Sequence, residues 1–115
     1  PTTDFAKENI FNVLRSYVDF EGLKAFDLFG GTGSITLELL SRGAARVVCV
    51  EKDFHHYSFI HKVLTSLPDE GGAALKADVL KYIPRCTEQF DLVFADPPYA
   101  LPQLEQLQAG FLPLP

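Results

Sequence analysis

The chain has 115 residues, enough for one compact domain of ordinary size and too few for two. Apolar residues make up 47% and charged residues 22%, a balance that excludes an intrinsically disordered chain and predicts a packed core. Ten basic and fifteen acidic side chains give a net charge of −5, so any contact with nucleic acid must be local rather than driven by an overall positive field.

The first predicted elements are a helix and a strand that runs into a glycine-rich turn. Residues 4–18 place apolar side chains at three- and four-residue spacings, which predicts an amphipathic helix with Thr3 or Asp4 as its N-cap. Residues 23–29 are short and apolar and end on the glycines of residues 30–33, which predicts a strand followed by a tight turn.

The rest of the chain alternates helices and strands. The predicted elements are a helix over 34–41 that ends at Arg42 and Gly43, an inner strand over 46–51, a helix capped by Asp53 and ending before Pro68, a strand over 73–77, a short helical turn over 79–83 and a strand over 90–95. This order predicts an α/β fold in which an open, mostly parallel sheet has right-handed crossovers and helices on both faces.

The glycine-rich turn is a candidate ligand-binding loop. Glycines between a strand and a helix let the backbone approach a ligand closely, while the N-terminus of the helix supplies N–H donors. Thr36 stands where a dinucleotide-binding pattern has its third glycine, and no lysine follows the loop as in a P-loop. The loop therefore favours a nucleotide-like cofactor other than NAD.

Two acidic residues follow later strands. Glu51 ends the second strand, where a carboxylate can accept two hydrogen bonds from a ribose diol. The competing interpretation is a solvated surface pair with Lys52. Asp78 follows the third strand and could accept from an adenine amino group, cap the next helix, or do both.

The segment from Asp96 to Tyr99, Asp-Pro-Pro-Tyr, is the most specific motif of the chain. Consecutive prolines remove backbone donors and leave carbonyl acceptors in a fixed geometry. The Asp96 carboxylate and the Pro97 carbonyl can together accept from an exocyclic amine, and Tyr99 offers a ring for stacking. The competing interpretation is a rigid loop after a strand.

These motifs together resemble those of S-adenosylmethionine-dependent amino-group methyltransferases. The opening residues 1–14 and the segment 40–44, Leu-Ser-Arg-Gly-Ala, resemble within that superfamily the RsmD family of small-subunit rRNA guanine-N2 methyltransferases. The resemblance implies a Rossmann-like methyltransferase fold that lacks its C-terminal strands. It implies one domain over 1–115, with an N-terminal capping helix over 1–20, a cofactor-binding core over 23–99 and an incomplete C-terminal part over 100–115. Gly30 and Thr32 stand where the family more often has alanine and serine.

The resemblance also implies the functional residues and the cofactor, S-adenosyl-L-methionine. The implied cofactor-binding residues are Thr2, Thr3, Asp27, Phe29, Gly30, Gly31, Gly33, Glu51, Lys52, Asp78 and Val79. The implied catalytic residues are Asp96, Pro97, Pro98 and Tyr99. Asp27 and the glycines would hold the methionine end, Glu51 the ribose and Asp78 the adenine. No metal site is expected, because the three histidines lack ligand spacing.

The sequence thus predicts an enzyme that methylates the N2 amine of a guanine in small-subunit rRNA. The expected partner is rRNA or the assembling small ribosomal subunit. No membrane partner is expected, since no apolar run reaches the ~18–20 residues of a membrane span. Two cysteines without CxxC spacing favour the cytoplasm. The alternatives are an adenine-N6 methyltransferase of DNA or RNA and a truncated, non-catalytic cofactor-binding module, with a nicotinamide-dependent oxidoreductase last. We also expect an exposed or partner-covered sheet edge beside the fourth strand.

Overall fold

The computed structural model describes residues 4–95, which form the alternating α/β fold that the sequence predicts. In chain order the elements are α1 (Asp4–Leu14), β1 (Lys24–Leu28), α2 (Ser34–Ser41), β2 (Arg46–Glu51), α3 (Phe54–Ser66), β3 (Gly72–Lys76), α4 (Val79–Tyr82), a 3-10 turn (Ile83–Arg85) and β4 (Leu92–Ala95). None of the helices within this range has both the length and the apolar character needed to cross a bilayer.

The four strands form one parallel sheet in the order β3-β2-β1-β4. The chain moves outward from β1 to β2 and β3, then returns across the sheet to place β4 on the other side of β1. The direction of winding therefore reverses between β1 and β4. Within residues 4–95, β3 and β4 are the two outer strands of the sheet. The exposed or partner-covered edge expected beside the fourth strand stays a prediction.

Helices cover both faces of the sheet because alternate strand residues point to opposite sides. Ala25 of β1 and Val47 and Cys49 of β2 pack with the helices α1, α2 and α3 in one cluster. Phe26 and Val48, their neighbours in sequence, pack in a second cluster with α4 and the 3-10 turn. The inner strands are thus buried on both faces, as the continuous apolar run of β2 predicts.

The first helix is shorter than the predicted range 4–18 and buries less of its apolar face. It ends at Leu14. The chain then makes a tighter turn, in which the Tyr17 N–H donates to the Leu14 carbonyl, three residues earlier, at 2.8 Å. Phe5 and Val13 were expected on the buried face, but they are 76% and 60% exposed. Among residues 5–14 of this helix, Phe11 alone is fully buried.

The last strand begins at Leu92 rather than at residue 90. Asp91 instead bonds to the start of β1: its N–H donates to the Lys24 carbonyl at 2.7 Å, and its Oδ2 accepts from the Lys24 N–H at 3.0 Å. The Phe90 ring packs over Phe26 with ring centroids 3.6 Å apart. The apolar character of Phe90 therefore reflects a place in the core rather than in the strand.

Candidate functional site

The carboxyl ends of all four strands lie along one edge of the sheet. Leu28, the last residue of β1, pairs with Val50 of β2 and with Ala95, the last residue of β4. Glu51 at the end of β2 pairs with Lys76 at the end of β3. In open α/β sheets, ligands bind outside the carboxyl ends of the strands where the winding reverses. The point between β1 and β4 is therefore the candidate site.

The glycine-rich loop at this edge has the backbone of a ligand-binding turn. Phe29, Gly31 and Gly33 all have left-handed φ values, of 60°, 57° and 81°. A non-glycine residue in that region is strained, and such strain is concentrated at functional sites. Among the described residues, the nearest atom to a Cβ built on Gly31 would be the Phe29 carbonyl oxygen at 3.9 Å, so the space beside Gly31 is open. The loop can thus present its backbone to a bound molecule.

Gly30 fills a different role, because it packs against the sheet. A Cβ built on Gly30 would lie 2.3 Å from Cys49 Sγ and 3.3 Å from Ile60 Cδ1. The Gly30 N–H donates to the Val50 carbonyl at 3.1 Å, which ties the loop to β2. Burial raises the pKa of the Cys49 thiol to about 12, so Cys49 is a neutral packing residue beneath the loop.

Asp27 lies at the carboxyl end of β1 and is 2% exposed. Its Oδ2 accepts from the Thr36 N–H at 3.1 Å and from Thr36 Oγ1 at 2.7 Å. Helix α2 begins after Gly33, which has no side chain to cap the first N–H groups, and Asp27 supplies the missing acceptor. Burial raises the pKa of Asp27 to about 7, although the hydrogen bonds from Thr36 lower it. Sequence reasoning missed Thr36, whose only signal was its place at the third-glycine position.

Glu51 ties the end of β2 to the glycine-rich loop. Its Oε1 accepts from the Gly31 N–H at 2.8 Å, and its Oε2 accepts from the Asp53 N–H at 2.7 Å. A carboxylate has about four acceptor positions, so these two bonds leave room for two more donors. The alternative of a surface pair with Lys52 is wrong, since the ion pair of Lys52 is with Asp78.

Asp78 performs the capping role that the sequence left open. Its Oδ1 accepts from the Leu80 N–H at 3.0 Å and so caps α4. Lys52 Nζ lies 3.7 Å from Asp78 Oδ2, which links the loops after β2 and β3. Val79 is buried in the second core cluster. The predicted contact of Asp78 with an adenine stays a prediction, as do the predicted cofactor contacts of Lys52 and Val79.

The structure therefore brings together the predicted residues that follow β1, β2 and β3. The remaining predicted site residues lie outside the described range: Thr2, Thr3, Asp96, Pro97, Pro98 and Tyr99. Ala95, which directly precedes Asp96, lies beside Leu28 at the start of the glycine-rich loop. No group of histidine, cysteine or acidic side chains within residues 4–95 could hold a metal ion.

Comparison with known proteins gives the family. A family model described as conserved hypothetical protein 95 matches residues 1–111. Over 110 residues the chain is 34% identical to ribosomal RNA small subunit methyltransferase D of Haemophilus influenzae. The chain belongs to the RsmD family. The putative rRNA methyltransferase YlbH of Bacillus subtilis is 32% identical over 111 residues. The resemblance drawn from the motifs is thus confirmed.

The fold comparison agrees with this RsmD assignment. The putative methyltransferase yhhF of Escherichia coli has a TM-score of 0.82 and 26% identity, over 96% of this chain and 60% of that chain. A conserved hypothetical protein of Streptococcus pyogenes has a TM-score of 0.74 and 33% identity, over 92% of this chain and 68% of that chain. The predicted Rossmann-like methyltransferase fold is confirmed.

The matches cover nearly all of this chain but only part of its RsmD-family relatives. The alignment with the Haemophilus influenzae protein covers 92% of this chain and 56% of the relative. The alignment with YlbH covers 93% of this chain and 59% of the relative. The chain thus spans a little more than half the length of these curated proteins.

Proposed function

We propose that this chain is the cofactor-binding part of an S-adenosylmethionine-dependent methyltransferase that modifies the exocyclic N2 amine of a guanine in small-subunit rRNA. Glu51 carries the proposal, because one side chain joins the glycine-rich loop to the end of β2 and keeps acceptor positions for a ribose diol. Family membership supports the reaction class. The chain is proposed as a single domain with the division predicted from the sequence, acting in the cytoplasm.

The described residues fit the cofactor. The open space beside Gly31 and the left-handed backbone of the loop suit the methionine end, next to the buried Asp27. Asp78 and Lys52 lie at the ends of the neighbouring strands, where the adenine would be held. S-adenosylmethionine, when bound, supplies a methyl group already activated on a sulfonium. The protein then has to hold the acceptor amine in line with that methyl group.

The acceptor site is proposed at Asp96 to Tyr99. The Asp96 carboxylate and the Pro97 carbonyl would accept the two N–H groups of the target amine, and Tyr99 would stack on the base. The proposal draws support from the position of Ala95, since β4 delivers the chain to the same edge as the glycine-rich loop.

The acceptor is the point on which the alternatives differ. An adenine-N6 methyltransferase would use the same amine chemistry on another base, while a non-catalytic module would bind cofactor without transfer. Methyl transfer from labelled S-adenosylmethionine to 16S rRNA, to small ribosomal subunits and to DNA separates them. Incorporation into guanine N2 of either ribosomal substrate is expected. Label in DNA adenine would contradict the proposed substrate.

Cofactor binding is tested most directly at Glu51. Glu51→Gln keeps the size of the side chain but replaces one acceptor oxygen by a donor, and we expect the affinity for S-adenosylhomocysteine to fall about tenfold or more. Isothermal titration calorimetry measures the change. Glu70→Gln, in the exposed loop before β3, is the matched control and should bind like the unaltered chain. Equal affinity of the two variants would refute the role of Glu51.

A further inference from the structure

Helix α1 is attached to the rest of the fold by few contacts, and one group of charges stands out among them. Phe11 is the only fully buried side chain over its residues 5–14. On the side facing α2, Lys7 Nζ lies 3.6 Å from Glu38 Oε1, and Arg42 Nε donates to Glu38 Oε2 at 3.0 Å. Glu38 therefore pairs with two cations, one on α1 and one at the C-cap of α2.

The same contacts show how the two helices are aligned. Lys7 lies opposite Glu38, and one turn further along, the guanidinium of Arg42 lies 4.8 Å above the ring of Phe11. Lys7 and Phe11 are four residues apart on α1, and their partners Glu38 and Arg42 are also four residues apart. Because the later residue of α1 contacts the later residue of the second pair, the two helices run in the same direction. The amino end of α1 is therefore on the side of α2 that begins at Gly33, which is the side of the glycine-rich loop.

We propose that Glu38 is a positioning residue: by pairing with Lys7 and Arg42 it holds α1 alongside α2, so that the amino end of α1 is presented to the cofactor at the glycine-rich loop. The inference rests on the proposed function for its ligand. It adds a residue outside the predicted site, five residues after Gly33 in sequence, that sets cofactor affinity without contacting the cofactor.

Charge and burial favour this role over a purely stabilising one. The side chains of Lys7, Arg42 and Glu38 are only 19%, 31% and 26% exposed, so losing Glu38 leaves two partly buried like charges near each other between the helices. Arg42 also loses the partner that orients it over the Phe11 and Phe20 rings. The position of α1 should therefore change more than the stability of the sheet.

Glu38→Gln tests the proposal, with Glu88→Gln as the matched control. Glu88 pairs with Arg46 at the amino edge of the sheet, and the side chains of Glu38 and Glu88 are similarly exposed, at 26% and 30%. We expect Glu38→Gln to weaken S-adenosylhomocysteine binding about fivefold, a typical coupling between distant positions. Glu88→Gln should leave the affinity unchanged. Equal losses in both variants would mean a general destabilisation and would overturn the proposal.

A second substitution distinguishes positioning from simple loss of a contact. In Lys7→Gln/Glu38→Gln the facing cations are no longer both present, so the double variant should bind better than Glu38→Gln alone. Raising salt from about 0.05 to about 0.5 M should weaken binding by the unaltered chain more than by the double variant. The assignment would be contradicted if the double variant bound no better than Glu38→Gln alone and its affinity depended on salt as strongly as that of the unaltered chain.

Amide hydrogen exchange of α1 in the cofactor-free chain separates this inference from the proposed function. Exchange over 4–14 should be faster in Glu38→Gln than in Glu88→Gln, whether or not the chain binds S-adenosylhomocysteine. If the unaltered chain shows no binding, the proposed function fails and the exchange alone decides the positioning of α1. Unchanged exchange of α1 in Glu38→Gln would overturn the inference in either case.

Discussion

Gly30→Ala is expected to lower the free energy of unfolding by about 1–3 kcal/mol, the usual cost of overpacking a filled interior. The added Cβ would lie 2.3 Å from Cys49 Sγ, a distance at which one of the two groups must move. Cys49 is fully buried in β2, and Ile60 blocks the loop from the other side at 3.3 Å, so neither neighbour can give way freely. Urea denaturation followed by circular dichroism measures the loss.

Cys49→Ala is the compensating change. It removes the sulfur atom that the new Cβ would meet, so the double variant Gly30→Ala/Cys49→Ala should be more stable than the sum of the single losses predicts. Cys49→Ala alone is the control, because it costs stability through the cavity that it leaves. Strictly additive losses would show that the loop moves away from β2 instead of pressing on Cys49.

The sequence was most informative where one local signal decides the structure. The β-branched run of β2 has the predicted bounds, and the glycine with positive φ at position 43 follows α2 as predicted. The predicted end of α1 and the predicted start of β4 were both wrong, and for the same reason. Val18 and Phe90 are apolar because they contact the core from loops, and apolar spacing alone does not distinguish that from a helix or strand.

The candidate site also has features that the sequence predicted and contacts that it did not. The glycine-rich loop, Glu51 and Asp78 lie at or just after the carboxyl ends of strands, so strand order along the chain was enough to predict their common edge. The bond from Thr36 to Asp27 joins a helix to a strand, and the ion pair of Lys7 with Glu38 joins two helices. Such contacts depend on the angle at which a helix packs on the sheet, and no periodic pattern in the sequence encodes it.

Asp27 is expected to make the chain less stable as the pH rises toward neutrality. Its pKa is raised from 3.8 to about 7 in the folded chain, mainly by burial, and Cys49 and Glu51 of β2 are the titratable groups that face it. Between these two values the unfolded chain has released the proton and the folded chain keeps it, so stability falls as pH rises. From about pH 5 to about pH 7 the loss attributable to Asp27 is on the order of 2 kcal/mol.

Asp27→Asn isolates this effect. The amide oxygen can still accept from both donors of Thr36, while the group no longer titrates, so the stability of the variant should stay nearly level over the same pH range. Glu88 has a lowered pKa, and its stabilising contribution is complete near the acid end of this range, so it opposes Asp27 only there. Asp19→Asn, at an exposed turn, controls for the removal of one acid. If urea titrations give parallel pH profiles for Asp27→Asn and the unaltered chain, Asp27 is ionised in the folded chain throughout, and the carboxylate is stabilised by Thr36 more strongly than its burial opposes it.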